Sequence, residues 1–140
     1  MRWVLGLTFL LACAHDPGVA ERSDYGAPPA RARSAEVAQA LSIKQALDVP
    51  FNHPMTVVAF LCQDFSHREC PPCPPGANCA RCLPRTWEFC DDPASFDPML
   101  SLVVEDPPFN LSLQVGHRYL LRGLHSMARG LSLDDIKTVD

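Results

Sequence analysis

The stretch Thr56-Val57-Val58-Ala59-Phe60-Leu61-Cys62 has the strongest strand character in the sequence and indicates what kind of fold surrounds it. Its β-branched and aromatic residues favour a β-strand, and its unbroken apolar run indicates burial on both faces for part of its length. A second stretch, Arg85-Thr86-Trp87-Glu88-Phe89-Cys90, alternates in polarity. This alternation places Trp87 and Phe89 on one face of a strand. We expect both aromatic side chains, together with Tyr119, to lie in the core.

Further strands are predicted on the C-terminal side of these two. Met99 to Glu105 forms one candidate, His117 to Leu124 another, and Leu131 to Ile136 a last one after the turn at 128–130. On the N-terminal side, residues 34–47 have apolar residues near helical spacing, and Ser42 is placed to start a second short helix. The 14 prolines and seven glycines also favour loops and β-structure over a helical bundle. The sequence therefore predicts about five strands behind a short helix.

The order of these parts resembles the small OB-fold-like barrels of exported bacterial proteins. The resemblance rests on Ser42-Ile43 and Ala46-Leu47, on Pro54-Met55-Thr56-Val57-Val58-Ala59-Phe60-Leu61, and on Gly116-His117-Arg118-Tyr119-Leu120-Leu121-Arg122-Gly123. It implies a mainly β, five-stranded barrel, with an open β-sandwich as the alternative. Ala59 and Phe60 occupy the place where a glycine would help the first strand bend. The segment 106–115 is too short and proline-rich for the helix that such folds usually place there.

The N-terminal residues predict export. Arg2 is followed by an apolar run over residues 3–12, which is too short to span a bilayer and is typical of a secretory signal peptide. The run ends in Leu10-Leu11-Ala12-Cys13, which resembles the lipobox of bacterial lipoproteins. The resemblance implies removal of residues 1–12 and acylation of Cys13, whose two or three acyl chains would anchor the protein stably. A buried N-terminal helix and an ordinary secreted protein are the alternatives.

The composition of residues 13–140 indicates two segments and limits the class of partner. Residues 13–33 are small, polar and proline-bearing, which predicts a flexible tether, and residues 34–140 form the β-rich domain. The formal net charge of −4 gives no basic surface for nucleic acid. We therefore expect the partners to be the membrane, reached through the lipid anchor, and an envelope protein. The predicted location is the periplasmic or outer face of a bacterial envelope membrane.

Six cysteines remain after Cys13, an even number that suits disulfides in an exported domain. If the first two strands form a hairpin, Cys62 and Cys90 lie at the same end of adjacent strands, at a distance that a bridge can span. The other four would then crosslink the insert 66–83, which has few apolar residues of its own to pack. These four are Cys70, Cys73, Cys79 and Cys82.

The same four cysteines form two Cys-x2-Cys pairs, so they also suit zinc or copper. The spacer between the pairs is short, prolines remove backbone donors around the first pair, and oxidation competes with metal for the sulfur atoms. His67 would be an extra ligand, although a solvated loop histidine is the simpler interpretation. A redox role for Cys70-Pro71-Pro72-Cys73 is a third interpretation, but no strand and helix flank the motif as that chemistry requires.

The remaining polar motifs give weaker signals. Asp91-Asp92 and Asp134-Asp135 lack the spaced oxygen ligands of calcium loops, so we expect solvated turns. His117 and His125 would share a face of one straight strand, which favours surface chemistry over catalysis. The sequence therefore predicts a membrane-anchored, disulfide-crosslinked lipoprotein with a non-catalytic binding or envelope-structural role. A metal-handling module that binds zinc or copper through the insert is the alternative, and an enzyme ranks third.

Overall fold

A computed structural model describes residues 26–69, 72, 74–77, 83–108 and 110–139. Two short helices precede the sheet: α1 spans Ser34–Ala38 and α2 spans Ile43–Ala46. The five strands are β1 (Pro54–Asp64), β2 (Thr86–Cys90), β3 (Leu102–Glu105), β4 (Arg118–Ser126) and β5 (Gly130–Thr138). Two 3₁₀ turns, Pro93–Ser95 and Pro98–Leu100, connect β2 to β3.

The strands close into a barrel in the order β1-β2-β3-β5-β4. All neighbouring strands are antiparallel except β3 and β5, which run parallel and pair at Val103 and Gly130. The five strands form one closed sheet, whereas a β-sandwich needs two sheets packed face to face. The predicted small OB-like barrel is therefore confirmed, and the β-sandwich alternative is wrong. All five predicted strands are present.

The barrel interior is filled by alternate residues of the strands. In β1 the inward side chains are Met55, Val57, Ala59 and Leu61, while the outward ones after the exposed Pro54 are half-buried instead of fully buried. Phe89 is at the centre: its ring lies 6.5 Å from that of Trp87 and 6.3 Å from that of Tyr119, both edge to face. Such pairs add to the burial of the rings themselves. The prediction that these three aromatic residues lie in the core is confirmed.

β1 bends without a glycine. The register of β1 against β2 shifts between Leu61 and Gln63, which leaves Cys62 as an extra residue on β1. Such a β-bulge bends a strand and increases its twist, so it supplies the curvature that closure requires. A true glycine requirement lies in β4, where a Cβ on Gly123 would come within 2.1 Å of the Ser132 carbonyl oxygen.

The predicted strand from Met99 to Glu105 is too long at its N-terminal end. Pro98 opens a 3₁₀ turn, and the Asp97 carboxylate accepts a hydrogen bond from the Met99 amide. This capping satisfies the first free amide of the turn and holds the chain out of an extended conformation. β3 therefore begins only at Leu102.

The restart of the helix at Ser42 is confirmed. The Ser42 hydroxyl accepts from the Gln45 amide, and the Gln45 side chain accepts from the Ser42 amide, which forms a capping box. α2 buries Ile43 and Ala46 completely against the barrel core. The helix therefore packs on the barrel core, and its first amides bind Asp91, which directly follows β2.

The prediction that the flexible tether extends to residue 33 is wrong for residues 26–33. Ala27 pairs with Leu111, and Arg31 pairs with Thr138 of β5. The Thr138 amide donates to the Ala30 carbonyl at 2.7 Å. We call residues 26–38 the N-terminal strap, because they continue along the barrel into α1. Residues 13–25 lie outside the described part of the chain.

The strap is also held by charge. The Glu36 carboxylate in α1 receives a hydrogen bond from Lys137 Nζ at 2.8 Å and lies 3.5 Å from the Arg122 guanidinium. These contacts, led by the Lys137 hydrogen bond and then the Arg33 backbone amide, lower the pKa of Glu36 from 4.5 to about 2. The carboxylate therefore keeps its negative charge well below the ordinary pKa of a glutamate.

The connection from β3 to β4 follows the sequence expectation. Within residues 106–108 and 110–117 the described chain has no helix, and it is held to the barrel by the Gln114 amide, which donates to the Tyr119 hydroxyl at 2.7 Å. In the parts of the chain that the structure describes, no helix combines the length and apolar character needed to cross a membrane.

Candidate functional site

The most distinctive chemistry on the barrel is the disulfide between Cys62 and Cys90. The two Cα atoms lie 5.9 Å apart, within the range of about 4.4–6.8 Å that disulfides span. Cys90 lies opposite Phe60 in the β1–β2 ladder, and the bulge places Cys62 within bonding reach. Sequence reasoning proposed this pair from strand ends alone; the bulge that adjusts the register left no recognisable signal.

A surface pocket lies beside the buried end of this disulfide. It has a volume of about 440 Å³ and lies between α2, the end of β2 and the two 3₁₀ turns. Its walls combine apolar side chains with carboxylates: they are formed by Lys44, Leu47, Asp48, Cys90, Asp91, Asp92, Ser95, Asp97 and Leu100. We call this the Asp91 pocket. Four of its nine lining residues are aspartates, although sequence reasoning singled out only Asp91 and Asp92.

Three of the four aspartates are fixed by hydrogen bonds. The two carboxylate oxygens of Asp91 accept from the Ile43 amide at 2.7 Å and the Lys44 amide at 3.1 Å. Asp91 therefore joins the start of α2 to the end of β2, which the expectation of a solvated turn did not include. Asp97 caps the second 3₁₀ turn.

Asp92 is the third fixed carboxylate. It accepts from the Ala94 amide and from the Ser95 hydroxyl, each at 2.9 Å. These two hydrogen bonds, the Ala94 amide first, lower the pKa of Asp92 below its ordinary value. The carboxylate thus keeps its negative charge to a lower pH than an isolated aspartate.

The pocket carries an excess of negative charge. In the described part of the chain, no ion pair connects Asp48, Asp91, Asp92 or Asp97 to a basic side chain. Lys44 is the single basic residue among the described residues that line the pocket. Within the described residues, no three histidine, cysteine or acidic side chains are grouped closely enough to hold a metal ion.

The second 3₁₀ turn adds an apolar ridge to the pocket's edge. Met99 is 71% exposed and Leu100, which also lines the pocket, is 60% exposed. Leu47, on the α2 side, is half-buried and packs against the barrel core. The pocket therefore offers apolar contact area and carboxylates at the same place.

The two histidines of the β4 region occupy different environments, so the expectation that they share a surface is wrong for His125. His117 is exposed just before β4. His125 is 1% exposed, its Nδ1 contacts the Val49 carbonyl, and the ring of Phe51 lies 5.0 Å away. The alternation of buried residues along β4 places position 125 inward. Its Nε2 atom has no hydrogen-bond partner among the described residues.

Asp134 and Asp135 also depart from the expectation of turns. Both are exposed, but they lie within β5, where the pairing with β4 shifts between Arg122 and Gly123. Asp135 pairs with Arg122, and Leu133 pairs with Gly123, so Asp134 is the extra residue of a second bulge. The pair is therefore part of the barrel wall.

Several predicted site residues lie outside the described part of the chain, and their roles stay predictions. They are the lipidation candidate and the four cysteines of the insert: Cys13, Cys70, Cys73, Cys79 and Cys82. The first residues of the insert are described. Ser66 donates both its amide and its hydroxyl to Asp64, and the Arg68 guanidinium lies 3.7 Å from the centre of the Phe65 ring. His67, the suggested extra metal ligand, is exposed between them.

Comparison of the chain with protein-family models, with curated protein sequences and with solved structures gave no significant match.

Proposed function

We propose that this chain is an exported bacterial lipoprotein, anchored to an envelope membrane through Cys13, whose barrel has a non-catalytic binding or envelope-structural role. The observation that carries the proposal is the Cys62–Cys90 disulfide. Disulfides persist outside the cytoplasm, where thiol reductants do not keep cysteines reduced. A disulfide in a chain that begins with an apolar run ending in Leu-Ala-Cys supports export followed by lipid attachment.

The barrel's chemistry supports binding more than catalysis. The buried His125 ring has one nitrogen on a backbone carbonyl and is covered by Phe51, so it cannot contact a substrate in solution. Three of the carboxylates in the Asp91 pocket are used as caps for turns or a helix. A general acid or base needs a free position facing a substrate and an environment that matches its pKa to neutral pH. The pKa of Asp92 is lowered, which moves it further from neutral pH.

Metabolic labelling tests the anchor. The full chain is expressed in a bacterial host with labelled palmitate, alongside a Cys13→Ser variant and a Cys62→Ser variant as a matched cysteine control. We expect label on the wild type and on the Cys62→Ser protein, membrane recovery of both, and neither property in Cys13→Ser. Equal labelling of the Cys13→Ser protein, or none in the wild type, would refute the anchor.

Mass measurement separates crosslinks from metal. The exported protein is weighed denatured, before and after reduction and alkylation, and its zinc and copper are measured. A mass six hydrogens below the reduced form, without metal, supports three disulfides. Four alkylatable thiols with stoichiometric zinc or copper would favour a metal-handling module built on Cys70, Cys73, Cys79 and Cys82.

A further inference from the structure

We infer that the Asp91 pocket and the neighbouring Met99–Leu100 ridge form a docking surface for a short segment of a partner protein that carries arginine or lysine beside an apolar residue. This inference deepens the binding role proposed above and rests on it. It commits to a cationic, partly apolar peptide segment as the occupant.

The apolar half of the surface is preformed. Met99 and Leu100 are consecutive residues of a 3₁₀ turn that is fixed by the Asp97 cap and by Pro98, so the backbone holds them outward. The Ser101 hydroxyl, which donates to the Pro98 carbonyl at 2.9 Å, fixes the other end of the turn. A surface that is already ordered loses little conformational entropy when a partner binds.

The size of the pocket suits side chains. Its volume of about 440 Å³ falls in the range of about 300–1,000 Å³ that ligand pockets occupy. Leu47 and Leu100 line it from different elements of the fold, and the half-cystine Cys90 also contributes to its lining. An aliphatic side chain of a partner, or the methylene stem of a lysine or arginine, would bury its carbon atoms there.

The charge of the pocket favours a partner segment of positive charge. Four carboxylates and one amino group line the pocket, and none of the four forms an ion pair in the described part of the chain. Asp48 accepts no hydrogen bond from the described residues, and the capping carboxylates keep their negative charge, so arginine or lysine would be attracted there. The planar guanidinium of arginine would also match the geometry of a carboxylate. Phosphates, anionic lipids and acidic peptides would be repelled.

The test uses the purified full chain and two fluorescently labelled probes, acetyl-Leu-Arg-Leu-Lys-amide and its acidic counterpart acetyl-Leu-Glu-Leu-Glu-amide, with anisotropy as the readout. We expect saturable binding of the basic probe only, weakened by added salt. Leu100→Ser should weaken that binding about fivefold and Asp48→Asn about threefold, since each removes one contact worth about 1 kcal/mol or less. Among the hydrogen bonds of the described residues, the Asp48 carboxylate caps no turn or helix, so its replacement leaves the turns intact.

Matched controls place the effect on this surface. Met127→Ser removes a side chain that is 80% exposed on the β4–β5 turn, and Asp134→Asn removes a carboxylate from β5. Neither should change binding. Equal binding of the acidic probe, no binding of the basic probe, or an equal loss in the controls would overturn the inference.

The failure of this inference is distinguishable from failure of the proposed function. Palmitate on Cys13 without basic-probe binding refutes the docking surface and leaves the anchor standing. Basic-probe binding that depends on Leu100 and Asp48, in a chain whose Cys13 carries no lipid, refutes the anchor and leaves the surface standing.

Discussion

The barrel interior and the N-terminal strap are both ordered, but different forces hold them. The interior is apolar, and Phe89 at its centre has no exposed surface. The strap lies outside the barrel and is held by backbone hydrogen bonds with Thr138 and Ser112 and by the Glu36 carboxylate. Burying one large apolar side chain contributes about 1.5–3 kcal/mol, whereas ion pairs at a surface are screened by water and contribute much less. The strap should therefore detach under conditions in which the barrel stays folded.

The largest expected effect is on the interior. Phe89→Ala removes a ring that contacts both Trp87 and Tyr119, and the closed barrel leaves little room for collapse around the cavity. We expect a loss of about 3–5 kcal/mol in the free energy of unfolding, which urea unfolding followed by tryptophan fluorescence would measure. Met99→Ala, at a site that is 71% exposed, should change it by about 0.5 kcal/mol or less. Equal losses in the two variants would contradict a barrel interior centred on Phe89.

The disulfide gives the next largest effect, and it also acts on the barrel. It closes a loop with a sequence separation of 28 residues, for which chain entropy gives a stabilisation of about 3–4 kcal/mol. The double variant Cys62→Ala/Cys90→Ala should lose about this much in urea unfolding. The Thr138 amide reports on the strap. Its hydrogen-exchange rate should stay unchanged in this variant, because the strap opens without global unfolding of the barrel. A loss below about 1 kcal/mol would mean that other contacts already hold β2 against β1.

Much of the interior could be predicted from the sequence, because alternation and β-branching determine which residues face inward. The core positions of Trp87, Phe89 and Tyr119 and the helix restart at Ser42 follow from such patterns. The prediction for His125 is wrong because it took the strand face that His125 shares with His117 to be the outer one. The register of β4, with Tyr119, Leu121, Gly123 and His125 at alternate positions, predicts an inward side chain there regardless of its polarity.

The order of the strap and the assembly of the pocket could not be predicted from alternation or β-branching. The strap's residues are small, polar and proline-bearing, so its composition resembles that of a linker; its order depends on partners at Leu111 and Thr138, more than 80 residues away in sequence. The four aspartates of the Asp91 pocket come from two separate stretches of the chain. Asp91, which directly follows β2, caps α2, and this contact of the fold brings Asp48 beside the other three aspartates.

A smaller effect is expected at α2, which follows the strap along the chain and packs on the barrel core. Asp91→Ala leaves the Ile43 and Lys44 amides without their carboxylate acceptor, and the loss of a helix cap of this kind costs about 1–2 kcal/mol. Urea unfolding would measure it. Asp48→Asn is the matched control, since Asp48 lines the same pocket without capping the helix. If both variants lost the same stability, the cost would arise from pocket charge and not from the cap.

The smallest effect isolates the strap. The pKa of Glu36 is lowered from 4.5 to about 2, chiefly by the Lys137 hydrogen bond, so the ionised carboxylate stabilises the docked strap. This contribution is complete above pH 4.5 and is lost as the pH falls towards 2. Hydrogen exchange at the Ala32 and Thr138 amides should therefore accelerate between about pH 4.5 and 2, relative to intrinsic exchange and to the core amides of β1.

The Glu36→Gln variant is the control for that measurement. Its neutral amide side chain would lack the titrating charge, so strap exchange should already be faster than in the wild type at neutral pH and should lose the pH-dependent component between about pH 4.5 and 2. Added salt should accelerate strap exchange in the wild type more than in the variant, because a partly exposed ion pair is screened by salt. Strap exchange in step with the β1 amides at every pH would mean that strap and barrel open as one unit, and the distinction between the two regions would then be wrong.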